Sequence, residues 1–445
     1  MLPNQKKALH LALGLLLAGI AYFLPLGLPT EARLVLAITA IAMVWWFTEA
    51  LPLHATALAV SFLLVVVAGF TPKDVFAPYF DPVIVLLLGG FVLALALHKY
   101  KIDEMVAFEI VNRVGHTPGR VLFGLMVVSA FMSMWMSNTA STAIMLPIVI
   151  FILAKNGLKP LKSNYGKALI LGVAYAATIG GIATLVGSPP NPIAASFLRE
   201  QGIAMGFTEW MAYGLPFVIL FLPIAWFVLK KMFPAEKGHI KIEKTTTKFS
   251  AEMKIVLGVF ALTVLLWLTT GIHGVASSMV SIVPIILLYV LGLINTADFS
   301  KINWAALILI GGGLSLGSAL QASGLDLFVA GIMQSVMAGH GFFIVALIVI
   351  GFAILLTMIA SNTAAAALMI PMMIPLAPLL GIDVKILVML AAIGVSLDFI
   401  VPVGTPPSAI AYSSGYIKTK DMAIAGTALA ILGAVLLAAL AAFTW

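Results

Sequence analysis

Two short phrases, Ser137-Asn138-Thr139-Ala140 and Ser361-Asn362-Thr363-Ala364, sit about half the chain apart, each inside an apolar stretch. Each is followed by a second matched phrase, Gly187-Ser188-Pro189-Pro190-Asn191 and then Gly404-Thr405-Pro406-Pro407-Ser408. The surroundings put these phrases at membrane depth. Of 445 residues, 62% are hydrophobic and 9% charged, against roughly 45–50% and 25% in soluble domains. Small polar residues, glycine and proline break helices there and free backbone groups, which is tolerated only where the broken backbone lines a cavity or binds something. A duplicated pair of breaks marks a secondary transporter with its site between two repeats.

Apolar runs of about 20 residues predict spans near 8–28, 33–52, 54–71, 82–98, 168–198, 209–229, 255–271, 275–294, 303–322, 387–414 and 422–443. The first of these follows Lys6 and Lys7 but carries Pro25 and no small-residue cleavage site, so it is expected to be a retained span rather than a signal peptide. Two further apolar regions, 119–154 and 341–380, hold the Ser-Asn-Thr phrases at their middles. Their tips contain no charged residue and no loop long enough to reach water comfortably, so both are expected to be re-entrant hairpins. The fold class is then an all-α polytopic membrane protein with 11 transmembrane helices and two hairpins.

The distribution of basic residues tests the topology. With a cytoplasmic N-terminus and an extracytoplasmic C-terminus, twenty of the 24 Lys and Arg fall inside and only Arg33, Lys73, Arg199 and Lys385 outside. That bias accounts for the net charge of +7 without nucleic acid or any other acidic partner. The chain has no cysteine, which excludes disulfides, thiolate catalysis and cysteine-bound metals. The seven histidines lack metal-ligand spacing, are expected at membrane interfaces, and accompany no hydrolase or phosphate-binding motif. No basis for an enzyme is visible.

The halves correspond beyond the two phrases. Asp103 and Asp326, and Ala107 and Ala330, share an offset of 223; the Ser-Asn-Thr phrases and Pro147 with Pro371 share 224; the Gly-X-Pro-Pro elements share 217. The expected organisation is a first helix over 1–32, one repeat over 33–232, a cytoplasmic linker over 233–251 and a second repeat over 252–445. The repeats carry hairpins near 119–154 and 341–380 and broken helices near 168–198 and 387–414. Each repeat has five spans and a hairpin, so the second enters the membrane inverted.

Ser133 and Ser137 lie four apart, which turns both hydroxyls to one side of the hairpin arm. Asn138 and Thr139 are expected to end that arm, where carbonyls lack intrahelical partners. Thr357, Ser361, Asn362 and Thr363 repeat the pattern. Hydroxyl, carboxamide and carbonyl oxygens are hard ligands suited to sodium. Pro189 with Pro190, and Pro406 with Pro407, should unwind the long helices near Gly187 and Gly404. The following half-helices then point positive N-termini into the gap, where an anion would bind. No Arg or Lys lies in either tip or break, so anion affinity depends on bound cations, as coupling requires.

At these residues the chain resembles the divalent anion:sodium symporter family, which includes bacterial sodium-dependent dicarboxylate transporters. The paired Ser-Asn-Thr motifs, the run Pro402-Val403-Gly404-Thr405-Pro406-Pro407-Ser408-Ala409-Ile410 and the run Trp45-Trp46-Phe47-Thr48-Glu49-Ala50-Leu51-Pro52 carry the resemblance. It implies sodium symport of C4-dicarboxylates such as succinate, fumarate or malate across the bacterial inner membrane. It also implies a homodimer with scaffold and elevator-type transport domains. Sulfate, citrate or another divalent anion, or dicarboxylate exchange, is the alternative on the same fold. One co-transported sodium is implied at Ser133, Ser137, Asn138 and Gly187, another at Thr357, Ala360, Asn362 and Gly404. The substrate would contact Asn138, Thr139, Ser188, Pro189, Asn362, Thr363, Thr405 and Pro406. Asp398 departs from the family, where small or apolar residues are more usual. A carboxylate at membrane depth is a functional candidate, open to a further cation, a proton, or a polar neighbour in the scaffold.

The topology has a direct test: a single cysteine near Asn156 should be labelled from the cytoplasm and one near Gly339 from outside. Labelling of both from one side would refute the inverted arrangement.

Overall fold

Every hydrogen-bonding group of a lipid-facing backbone must be satisfied within its own segment, which leaves helices as the economical answer. The computed structural model describes residues 3–242, 249–402 and 404–445, and among these it contains helices and no β-strand. Ten helical stretches there are long and apolar enough to cross a membrane. Residues 243–248 of the expected linker and Val403 of the second break lie outside the described residues.

The chain opens with α1 (Pro3–Phe23), α2 (Thr30–Phe47) and α3 (Leu53–Val66). Next come α4 (Pro82–Lys99), α5 (Ile102–Val114), the hairpin arms α6 (Pro118–Ser133) and α7 (Asn138–Lys155), and the two pieces of a broken helix, α8 (Asn164–Gly181) and α9 (Pro190–Glu200). After α10 (Phe207–Met232), α11 (Ala251–Leu268) and α12 (Ile282–Val290), the same sequence of elements returns. It runs as α13 (Trp304–Ala322), α14 (Leu325–Met337), the arms α15 (Phe342–Ile359) and α16 (Asn362–Leu379), and the pieces α17 (Val384–Gly394) and α18 (Pro406–Ser413), before the last helix α19 (Thr419–Thr444).

The broken helices are the core. Every residue of α8 from Tyr165 to Gly181 is buried except Lys167, and Leu387 to Gly394 of α17 are all buried. Helices apolar on all sides belong at the centre of a bundle. In contrast, α1 exposes Leu13, Leu15, Leu16 and Ile20, as a lipid-facing helix does.

Three features were not legible in the hydropathy pattern. First, α5 and α14 are amphipathic 13-residue helices of about 20 Å, too short for a hydrocarbon layer of about 30 Å. They join α4 and α13 to the hairpins, and each starts beside a left-handed residue, Lys101 (φ 55°) or Gly324 (φ 69°). Second, the expected span 275–294 is interrupted at Ser281, which separates a short helix over Ser277–Val280 from α12. There the Ser281 backbone packs on Gly89 so tightly that a β-carbon on Gly89 would overlap it. Third, the described part of the linker is pinned to the first hairpin. The Asn156 amide donates to Lys241 O at 3.0 Å and its oxygen accepts from Lys241 N at 2.8 Å. Asn156 is consequently buried, and exposed Lys159 is the better labelling position.

Helix contacts at glycine set the packing distance. A β-carbon on Gly180 would overlap the Ala130 backbone of the facing arm, whereas one on Gly258, midway along α11, would meet nothing within 4 Å. Gly180→Ala should therefore cost about 1–3 kcal/mol by overpacking. Gly258→Ala should be neutral or stabilising by up to about 1 kcal/mol. Thermal denaturation of the two purified variants in detergent checks the opposite signs.

Candidate functional site

The Ser-Asn-Thr phrases occupy the start of each return arm and not the end of the outgoing one. The α6 helix stops at Ser133, and α7 begins at Asn138 with Ser137 as its cap, the Ser137 hydroxyl accepting from Ala140 N at 3.2 Å. In the second half α15 stops at Ile359, and Ser361 caps α16 by accepting from Ala364 N at 3.3 Å. The reason is that serine satisfies an orphan amide better at a helix N-terminus than anywhere else in a turn. Asn138, Thr139, Asn362 and Thr363 therefore sit at positive helix ends.

Behind each tip an identical pair recurs. The Ser133 hydroxyl donates to Asn138 Oδ1 at 2.6 Å, and the Thr357 hydroxyl donates to Asn362 Oδ1 at 2.6 Å. Around Asn138 the setting is rich in oxygen, because its inward amide atom also faces Ala177 O at 3.2 Å and Gly187 O at 3.1 Å. With the amide turned over, its nitrogen donates to both carbonyls and to Ser133 Oγ. With the oxygen inward, the Ser133 hydroxyl donates to it and the two carbonyls face it with no donor between them. Those are hard oxygen donors of the kind that ligate small alkali and alkaline-earth ions.

The helix breaks close the other side. Between α8 and α9 the chain leaves helical geometry, and its carbonyls are taken up by side chains. Asn191 donates to Gly181 O at 2.8 Å and Thr184 O at 2.6 Å, and the Trp210 indole donates to Ile182 O at 2.9 Å. In the second break Thr405 donates to Ser408 Oγ at 3.0 Å.

Tips and breaks meet around one cavity of about 350 Å³. All eight residues expected to contact substrate line it: Asn138, Thr139, Ser188, Pro189, Asn362, Thr363, Thr405 and Pro406. Ser137, Gly187 and Gly404 line it as well, while Ser133, Thr357 and Ala360 are buried behind the wall. The Ser188 hydroxyl has no hydrogen-bond partner among the described residues. Four helix N-termini (α7, α9, α16 and α18) thus converge on one space, a setting that favours anionic groups.

Sequence reasoning missed two polar residues of the wall, His54 and Asn303. Asn303 had a signal, an asparagine directly before an apolar run, and it caps α13 by accepting from Ala306 N at 3.1 Å. His54, expected at an interface, had none. It reaches the cavity because the chain breaks between Phe47 and Leu53, where Glu49 adopts a left-handed conformation (φ 48°). A second cavity of about 280 Å³ shares Phe91, Ser137 and Asn303 with the first and continues to His98 and Lys301.

The model of the sodium:sulfate symporter transmembrane region matches residues 5–445. The sodium-dependent dicarboxylate transporter SdcS of Staphylococcus aureus (strain bovine RF122 / ET3-1) is 34% identical over 457 residues, covering 95% of this chain and 88% of that protein. An uncharacterized transporter of Haemophilus influenzae is 35% identical over 427 residues, covering 92% of this chain and 91% of its own. Among solved structures, the Alcanivorax borkumensis YdaH transporter, whose crystal structure is described as having an unusual topology, aligns with a TM-score of 0.59. At 13% identity over 94% of this chain and 99% of that one, it shows a shared fold. A family match over almost the whole length, with relatives similar along nearly all of it, makes this multi-pass helical chain a member of the divalent anion:sodium symporter family, and therefore a membrane transporter and not an enzyme.

Proposed function

We propose that the protein imports C4-dicarboxylates, among them succinate, fumarate and malate, together with sodium ions. The single observation that carries the reading is the cavity whose wall is built from both halves, with a hydroxyl–asparagine pair at 2.6 Å behind each tip. One sodium would lie at Ser133, Ser137, Asn138 and Gly187, the other at Thr357, Ala360, Asn362 and Gly404. A substrate with two carboxylates matches two facing helix N-termini, and the names of the curated Staphylococcus relatives point to the same class.

Each residue of the phrase then has its own task. Serine caps the arm, asparagine offers oxygen to the cation, and threonine with the free N-terminal amides meets the carboxylate. Because asparagine stands between the two, neither ligand is well held without the other, which is the coupling free energy a symporter needs.

The chain is organised as two inverted repeats, 33–232 and 252–445, behind a first helix over 1–32 and joined by a linker over 233–251. The N-terminus is cytoplasmic, the C-terminus extracytoplasmic, and the protein sits as a homodimer in the bacterial inner membrane. From the break to the outer end, α9 has 11 residues and spans about 16 Å. That depth supports hairpin tips that stop inside the hydrocarbon layer. The second cavity leads toward Lys301, on the side assigned to the cytoplasm, which supports an inward-facing arrangement. The hairpins and broken helices would move as one elevator-type body against a scaffold.

Proteoliposome uptake of radiolabelled succinate should require an inward sodium gradient and be competed by fumarate and malate. Competition by sulfate or citrate alone would move the specificity to those anions, and uptake indifferent to sodium would indicate exchange. Asn138→Ala and Asn362→Ala should each weaken sodium and succinate binding together by about tenfold or more. Calorimetric titration checks this, since loss of succinate affinity with sodium affinity intact would remove the shared-site account.

A further inference from the structure

One buried acid is left unused by these assignments. Asp398 is fully buried, and neither carboxylate oxygen has a well-formed hydrogen bond among the described residues, the Ile400 backbone N–H being the donor turned toward it. It lies in the second helix break, four residues beyond the end of α17. Its carboxylate is packed directly against Gly404, so closely that a β-carbon on Gly404 would overlap it. Gly404 in turn lines the transport cavity beside Thr405 and Asn362.

The matched place in the first half explains what this position is for. The offset of 217 that relates the two breaks pairs Gly404 with Gly187 and Asp398 with Gly181. Gly181 touches the oxygen cluster: a β-carbon there would overlap Asn138 Oδ1 and lie 3.0 Å from Gly187 O. Glycine thus adds no side-chain group to the first cluster, and aspartate puts a carboxyl group at the matching position of the second. An ionised carboxylate with at most one backbone donor is costly to bury, and a cation beside it offsets that cost.

We infer that Asp398 supplies a carboxylate oxygen to a cation held beside Gly404, giving the second cation position an anionic ligand where the first has only neutral ones. The inference rests on the sodium-symport reading and makes the two sodium positions chemically unequal. The site takes a small hard monovalent ion, with sodium as the probe, and its affinity owes more to charge than that of the site at Asn138.

The test titrates sodium into purified protein at constant ionic strength without substrate, following heat and thermal stability, on the wild type and Asp398→Asn. The substitution keeps size and removes charge. The half-saturating sodium concentration should rise about tenfold or more and the apparent cooperativity should fall, while succinate affinity at saturating sodium changes less than about threefold. An unchanged sodium titration in Asp398→Asn overturns the inference. So does a flattened pH profile of uptake with the sodium curve unmoved, which assigns the carboxylate to a proton. Should the variant not fold, infrared difference spectra of the wild type decide: exchanging N-methylglucamine for sodium should shift a carboxylate stretching band, and no shift overturns the inference. A wild type that neither binds sodium nor takes up succinate with it fails the symport reading, a result distinct from any failure confined to Asp398.

Discussion

The first half of the site depends on three backbones meeting with no β-carbon between them. Gly180 packs on the carbonyl of Ala130, Gly181 on the amide of Asn138, and Gly187 on Gly181 with the Ser133 carbonyl 2.9 Å from where its β-carbon would stand. Only this crowding brings the oxygens of Ser133, Ala177 and Gly187 within 3.2 Å of the Asn138 amide. Any side chain at these positions would wedge the tip away from the break and disperse the cluster. The second half is spaced differently: a β-carbon on Gly394 would stand 3.0 Å from the Ala353 methyl, and one on Gly404 would overlap the carboxylate of Asp398. One half is crowded by main chain and the other by a side chain, although both present the same hydroxyl–asparagine pair.

Asp398 apart, charge gathers at the two ends of the bundle, where it ties elements together. At one end Asp81 caps α4 by accepting from Val83 N at 2.8 Å and also takes Ser196 and the Arg199 guanidinium of α9. At the other, Lys99 reaches Asp298 at 2.7 Å and Leu293 O at 2.9 Å, and Lys167 at the start of α8 reaches Asp421 at the start of α19 at 2.9 Å. Partly exposed pairs such as Arg199 with Asp81 contribute little stability individually. Their value is geometric, since each joins helices far apart in sequence.

Much of this was legible in the residues because the breaks are chemically loud. Proline pairs, glycine and Ser-Asn-Thr in an apolar background have few structural explanations, and hydropathy finds long lipid-facing helices well. What stayed hidden follows from the same physics. The direction of the Ser-Asn-Thr phrase turns on one hydrogen bond from Ala140 N to Ser137 Oγ, which spacing alone does not specify. The short helices α5 and α14 have ordinary amphipathic patterns and no membrane-length run. His54 enters the cavity through a break between α2 and α3 whose geometry is set by tertiary packing, not by local propensity. Asp398 was visible as an intramembrane acid, but its contact with Gly404 is a fact of three dimensions.

Asn138 makes three contacts that only a carboxamide can make together. Its nitrogen is placed to donate to Ala177 O, Gly187 O and Ser133 Oγ, so one side chain fastens the outgoing arm, the buried core helix and the helix break. Aspartate has the same shape but no donor for the two carbonyls, and alanine leaves both without a partner. The side chain is the rivet of the tip, and the position tolerates neither loss of its nitrogen nor loss of its bulk.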